Sequence, residues 1–124
     1  MQISVCLAKL HRVTVTGADL NYVGSVTIDE LLLRASGLRP RQMVTINNLS
    51  NGVSWRTYIV KGKTGQGEVI LNGPPARHFQ KGDKAIIWAE ISVSVEEADR
   101  MGDEPTVVFV NDANEITSVK NPLP

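Results

Sequence analysis

The chain predicts an all-β or β-dominated barrel, and three observations carry that expectation. Short runs rich in Val, Ile and Thr recur along most of the 124 residues, separated by Gly, Asn and Pro turns. Helical patterns are confined to two brief stretches. Strands and helices do not alternate in the βαβ sense, so a parallel doubly wound sheet is not indicated.

In chain order, residues 3–16 open with β-branched residues and alternate from Lys9. This predicts a strand with Lys9, His11, Val13 and Val15 on one face and Leu10, Arg12, Thr14 and Thr16 on the other. Gly17-Ala18-Asp19 reads as a turn into the short segment 21–26. Thr27 and Glu30 form a capping-box pattern, Leu31, Leu32 and Leu33 supply an apolar face, and Gly37 stands where a helix ends. Residues 43–49 and 53–61 read as strands flanking Asn51-Gly52, a strong hairpin signal. A Gly-rich link precedes a strand over 68–71, which stops at Asn72-Gly73-Pro74-Pro75. Residues 84–93 form the most apolar strand, and Ser94 with Glu97 predicts a second cap and a short helix up to Gly102. Strands near 106–111 and 115–119 flank the Asn111-Asp112-Ala113-Asn114 turn.

Composition narrows the function classes. With 42% hydrophobic and 21% charged residues the chain is a folded domain, and with only 5% aromatics its core is aliphatic. Thirteen Lys and Arg against thirteen Asp and Glu give zero formal charge, without the basic stripe that phosphate neutralisation of a nucleic acid needs. Cys6 is the one cysteine, and His11 and His78 lie far apart, so neither a disulfide nor a metal-ligand spacing is present. No apolar run is long enough to span a membrane, and the first residues lack a secretion-signal pattern; the expected location is the cytoplasm. A core of this size gains stability from oligomerisation.

Two features carry chemistry. Lys9 and His11 share a strand face, with Tyr22, Ser25, Thr57 and Tyr58 as hydroxyl-bearing companions; on spacing alone the pair reads as a solvated strip. At Gly24-Ser25 a hydroxyl stands next to the carbonyl that precedes it, and glycine tolerates the backbone strain an attack on that carbonyl requires. Gly-Ser is also a common turn dipeptide, and by itself it decides nothing.

The surroundings of that dipeptide are more specific. Lys9-Leu10-His11-Arg12-Val13, Ala18-Asp19-Leu20, Tyr22-x-Gly24-Ser25 and Ile28-Asp29 resemble the start of the aspartate 1-decarboxylases, a pyruvoyl-dependent family. The likeness continues through Asn51-Gly52, Thr57-Tyr58, Leu71-Asn72-Gly73, Ala76-Arg77 and Gly82-Asp83, to roughly residue 110. It implies a small double-psi β-barrel with two or three short helices. It also implies one domain that cuts itself between Gly24 and Ser25 into residues 1–24 and 25–124, leaving a covalent pyruvoyl group derived from Ser25. The Ser25 hydroxyl would attack the Gly24 carbonyl while Thr57 stabilises the developing oxyanion. The pyruvoyl group would then take up a small amino acid through its amine and accept the electrons left by departing CO2. By the same resemblance Tyr58 supplies a proton, Lys9 contacts the substrate carboxylate, Asn72 and Gly73 form a pocket segment, His11 and Tyr22 line the site, and Ile86 is apolar wall. The implied assembly is a homotetramer with sites between subunits, and a maturation partner for the cleavage is possible within this scheme.

Two departures bear on the substrate. Where the family usually places a carboxylate-clamping arginine this chain has Ser54, with Arg56 two residues on and on the same strand face. Pro74-Pro75 replaces the small residues common after Asn-Gly and removes two backbone donors. The expected activity is decarboxylation of L-aspartate to β-alanine for pantothenate synthesis. The alternatives are the same chemistry on another amino acid, or an unprocessed, non-catalytic β-barrel module.

Overall fold

The computed structural model describes residues 1–123 and is mainly β. Nine strands and two short helices follow in the order β1 Gln2–Thr14, β2 Gly17–Asp19, β3 Ser25–Asp29, α1 Glu30–Ser36, β4 Met43–Asn48, β5 Ser54–Gly62, β6 Val69–Asn72, β7 Lys84–Ser94, α2 Val95–Arg100, β8 Thr106–Val110 and β9 Ile116–Lys120. A single 3-10 turn, Pro74–Arg77, follows β6. The strands pair in the order β2-β6-β3-β5-β4-β7-β1-β8-β9. The hydrogen-bonded order ends at β2 and β9 without closing on itself. Side chains from β1, β3, β4, β5, β6, β7 and β8 nevertheless meet in one aliphatic core, in which Leu10, Val26, Ile46, Ile59, Leu71, Ile87 and Val108 are fully or almost fully buried.

Neighbouring strands are antiparallel except at three places. β1 runs parallel to β8, β2 to β6, and β3 to β5. The parallel β2–β6 pair and the antiparallel β3–β6 pair place β6 between β2 and β3, so the chain leaves β2 on one side of β6 and re-enters β3 on the other. That crossing carries Gly24.

Three local expectations are corrected by long-range pairing. The alternation from Lys9 does not run through Val15. A register slip between Leu10 and Val13, with Arg12 at φ 58°, inserts a bulge that turns Val13 and Val15 into the core beside Ala8 and Leu10. Lys9 and His11 stay on the outer side. Gly17–Asp19 is a strand rather than a turn, because it pairs with Ile70, Leu71 and Asn72. The expected Thr27–Glu30 capping box does not form. Residues 25–29 are claimed by β5 and β6, and Asp29 caps α1 instead, its Oδ1 accepting from the Leu31 amide at 2.8 Å. The Asp29 carboxylate also accepts from the Gly65 and Gly67 amides at 3.0 and 2.7 Å, tying the helix start to the Gly-rich link. Leu31 is exposed, and only Leu32 and Leu33 of the leucine run reach the core.

Other local signals hold. Gly37 ends α1 in the left-handed region at φ 80°, its amide donating to Leu33 O. Ser94 caps α2 by accepting from the Glu97 amide at 3.1 Å. Among the described residues no helix is long and apolar enough to cross a membrane.

Candidate active site

Ser25 opens β3, and its side chain is completely buried. It pairs across the antiparallel β3–β6 ladder with Asn72, itself 4% exposed. Alternation puts Val26 and Ile28 in the core, so Ser25 and Thr27 share the other face with Asn72. The Asn72 side-chain amide donates to both hydroxyls, to Ser25 Oγ at 3.0 Å and to Thr27 Oγ1 at 3.0 Å. Ser25 Oγ in turn donates to the Val23 carbonyl at 3.1 Å. The hydroxyl is thus oriented from two directions, back toward the carbonyl side of its own chain. Among the described residues no buried side-chain nitrogen or oxygen is left without a partner.

Thr57 and Tyr58 lie on β5, the parallel neighbour of β3, where Val26 pairs with Ile59. Running that register back sets Ser25 alongside Tyr58 and Gly24 alongside Thr57. The two β5 residues face opposite ways. Thr57 is buried and paired with core Val44, whereas Tyr58 is half-buried and paired with exposed Met43.

The remaining candidates gather on the outer face of the sheet. Lys9 pairs with Trp88, Trp88 with Thr45, and Thr45 with Arg56, which makes one row across β1, β7, β4 and β5. The next row holds Ile86, Asn47 and Ser54. His11 sits outward two residues from Lys9, its ring edge-on to Phe109 with centroids 5.3 Å apart. Arg56 and Tyr58 share a face of β5, as the sequence spacing implies. Neither Lys9 nor Arg56 enters the three ion pairs of the described residues, Arg34–Glu30, Lys61–Glu30 and Lys84–Asp112. Glu90, two residues from Trp88, is the acidic group on this face. Burial pushes the nearby Cys6 thiol up, against the opposing pull of Lys9, so it stays protonated at neutral pH.

Within one chain the two groups meet at β5, where Tyr58 lies alongside Ser25 and two residues from Arg56, while Lys9 stands farther off. Lys9 lies four strand spacings from Ser25 in the pairing order, about 19 Å along the sheet at ~4.8 Å per strand. Two cavities of the chain lie away from Ser25. One of about 410 Å³ is lined by Asp29, Gly67 and Asn114, and one of about 690 Å³ by Cys6, Met101 and Leu123. Tyr22 is 55% exposed in the crossing loop.

Several contributors were not legible in the sequence. Thr27 shares the Asn72 amide, and its only signal is its i+2 spacing from Ser25. Trp88 Nε1 donates to Asn47 Oδ1 at 2.7 Å, and Asn47 Nδ2 donates to Ser54 Oγ at 3.1 Å. Ser54 therefore ends a chain of hydrogen bonds that holds the indole between Lys9 and Arg56.

Residues 1–117 match the family model described as aspartate decarboxylase. The chain belongs to the aspartate decarboxylase family. It is 52% identical over 117 residues to the aspartate 1-decarboxylase of Bdellovibrio bacteriovorus, covering 94% of this chain and 91% of that protein. It is 49% identical over 112 residues to that of Flavobacterium psychrophilum, covering 90% and 95%. With the Caldicellulosiruptor saccharolyticus protein of the same name it shares 46% over 121 residues, covering 98% and 93%. These matches extend past residue 110, where the motif-by-motif likeness ends, and include the strand that carries Phe109. Membership in the aspartate decarboxylase family gives the buried Ser25 and the outer cations a common context.

Proposed function

We propose that the protein is a self-processing decarboxylase that removes the 1-carboxylate of L-aspartate and releases CO2 and β-alanine. The observation that carries this reading is a fully buried serine directly after a glycine, its hydroxyl held between the Asn72 amide and the Val23 carbonyl, in a chain 52% identical to an aspartate 1-decarboxylase. In the processing step Ser25 Oγ bonds to the Gly24 carbonyl carbon, the Gly24–Ser25 C–N bond breaks, and the hydroxyl proton ends on the freed amine. Thr57, alongside Gly24, supplies the donor for the oxyanion of that step. Loss of the α proton of residue 25 and of the ester oxygen then releases residues 1–24 with a C-terminal carboxylate. Hydrolysis of the remaining dehydroalanine, with loss of ammonia, gives the pyruvoyl group at residue 25.

The residues around Ser25 fit such a group. Asn72 and Thr27 already offer polar partners there, beside a Ser25 side chain that is fully buried. A pyruvoyl group supplies an electrophilic carbonyl for the substrate amine and a sink for the electrons that departing CO2 leaves behind. The side chains do the rest. Lys9 and Arg56 bind the carboxylate that is retained, Tyr58 Oη delivers a proton to the α carbon, and Ile86 supplies an apolar wall that favours loss of charge from the departing carboxylate. His11 and Tyr22 line the site, and Asn72 with Gly73 shapes its floor.

The placement of Lys9 and Ile86 four and three strands from Ser25 in the pairing order supports a site completed by a second copy, in a homotetramer. The reading places the enzyme in the cytoplasm, acting in pantothenate synthesis, with cleavage either spontaneous or helped by a maturation partner. Intact mass over time and CO2 release from L-aspartate, L-glutamate and a neutral amino acid test it together. The expected result is two fragments, of residues 1–24 and 25–124, and turnover of aspartate above the others. A Ser25→Ala chain should stay whole and inactive. A cut Ser25→Ala chain, or processed protein that leaves aspartate untouched, overturns the proposal.

A further inference from the structure

The segment 20–24 leaves and returns to the same residue. Asp19, the last residue of β2, pairs with Asn72 from one side of β6, and Ser25, the first of β3, pairs with Asn72 from the other. The five residues between them must cross the end of β6, a span of about 10 Å at two strand spacings. What they cross is Gly73. Its amide donates to Asp19 O at 2.7 Å, which fixes the near end of the crossing.

Gly73 has φ 75° and ψ −141°, a region that essentially only glycine enters. The space beside it is closed as well. A Cβ on residue 73 would stand 2.8 Å from Gly24 Cα, 2.9 Å from Gly24 N and 3.0 Å from the Tyr22 carbonyl oxygen. Pro74 continues the contact, since its Cδ would lie 3.5 Å from a Cβ on Gly24. Pro74 and Pro75 then start the 3-10 turn, whose fixed φ values leave the loop little freedom. The Gly24 backbone therefore rests directly on a rigid surface, next to the hydroxyl that Asn72 holds.

Resting on the self-cleavage reading above, we propose that Gly73 and Pro74 are positioning residues for that step. Gly73 is a saddle and segment 20–24 a strap drawn over it, so that the Gly24 carbonyl is held at a fixed height relative to Ser25 Oγ. Neither residue reacts. They act by fixing the backbone on which attack depends, and displacement of about 1 Å in such a geometry costs on the order of a hundredfold in rate. The pair also accounts for the proline after Asn72-Gly73: a stiffer saddle suits a strap whose position matters more than the amide donors lost.

The test is the rate at which the freshly made full chain converts to fragments, read by intact mass, with and without hydroxylamine. At neutral pH on the folded chain hydroxylamine cuts the ester that follows attack and leaves the Gly24–Ser25 amide intact, and mass distinguishes that cut from any at Asn51-Gly52 or Asn72-Gly73, so it separates a block before the ester from one after it. Gly73→Ala is expected to slow conversion by about a hundredfold and to yield no extra fragments with hydroxylamine. Pro74→Ala, which keeps the Gly73 backbone unstrained and serves if Gly73→Ala does not fold, is expected to slow conversion several-fold in the same way, with an unchanged melting temperature. A slow variant that hydroxylamine rescues overturns the proposal, because attack would then be intact. So does wild-type conversion in a folded Gly73→Ala chain, or in Pro74→Ala where that alone folds. A wild-type chain that never converts overturns the self-cleavage reading itself, and this inference with it.

Discussion

The surroundings of Ser25 and the outer face around Arg56 are built on opposite principles. Around Ser25 the polar side chains are paired and Ser25 and Asn72 are buried, the backbone is pinned on both sides of Asn72, and a glycine is required at residue 73 on steric grounds alone. On the outer face the chemistry-bearing groups are long side chains on regular strands. Among the described residues Lys9 and Arg56 enter no ion pair, and the Trp88–Asn47–Ser54 chain of hydrogen bonds braces the middle of the face. The difference matches the two tasks of the proposed function. Rearranging the chain's own backbone needs preorganisation inside one chain, whereas binding an incoming anion needs accessible charge. If this division is right, substitutions should separate cleavage from turnover.

The largest effect is expected at Asn72, where the two tasks are most unequal. Asn72→Ala removes the donor to both Ser25 and Thr27 and leaves one buried and one half-buried hydroxyl to find other partners. Cleavage, followed by intact mass, should slow on the order of a hundredfold as the nucleophile loses its orientation. Stability should fall by about 2 kcal/mol, as is usual when buried partners are lost, and a denaturant titration would show it. Cleavage at the wild-type rate would mean that the Val23 carbonyl alone orients Ser25, and the buried network would lose its special standing.

Arg56 probes the other side of the comparison. Arg56→Ala should leave cleavage at its wild-type rate and stability within about 0.5 kcal/mol, the usual range for an exposed site. Its effect should appear in kcat/KM for aspartate, as a loss of about 10- to 100-fold, corresponding to ~1.5–3 kcal/mol for hydrogen bonds to a charged group. Most of that loss belongs in KM if Arg56 holds the retained carboxylate equally in ground and transition states. Unchanged kinetics would assign Arg56 to the solvent and leave Lys9 as the cation of this face.

What the sequence disclosed follows the same division. Strands with their own hydrophobic runs, such as β5 and β7, are where local pattern put them, and so is the shared face of Ser54, Arg56 and Tyr58. The Ser94 cap and the Gly37 helix end are likewise local chemistry. The features that build the Ser25 site are not local. β2 is three residues whose strand character comes entirely from β6, and Thr27 looked like a helix cap because nothing nearby announces its pairing with Ile70. The β1 bulge rests on Arg12 in a left-handed conformation, for which its residue type gives no hint. The candidate residues themselves were legible only as motifs shared with a family. Their sorting into an inner and an outer group required the register of six strands.

The smallest effect should come from a charge cluster that touches neither region, and it calibrates the other two. Glu30, at the start of α1, accepts from Thr64 Oγ1 at 2.6 Å and pairs with Arg34 at 3.0 Å and Lys61 at 3.6 Å. The Thr64 hydrogen bond first, and the two cations after it, hold its carboxyl below the ordinary value of 4.5. A carboxylate whose pKa is lower in the folded state adds stability above that ordinary value, and the contribution fades as pH falls through the lowered one. Glu30 lies at the surface, its side chain 21% exposed and its charges open to solvent screening, so the contribution is small. Glu30→Gln should therefore shift the acid-unfolding midpoint only slightly, upward in pH, with cleavage and turnover unchanged near neutral pH. The control is informative because Glu30 adjoins Asp29, where β3 ends, and Ser25 stands at the other end of the same strand. A cleavage defect in Glu30→Gln would show that strain travels along β3, and the Ser25 site would then be set by the whole strand rather than by its pinned end.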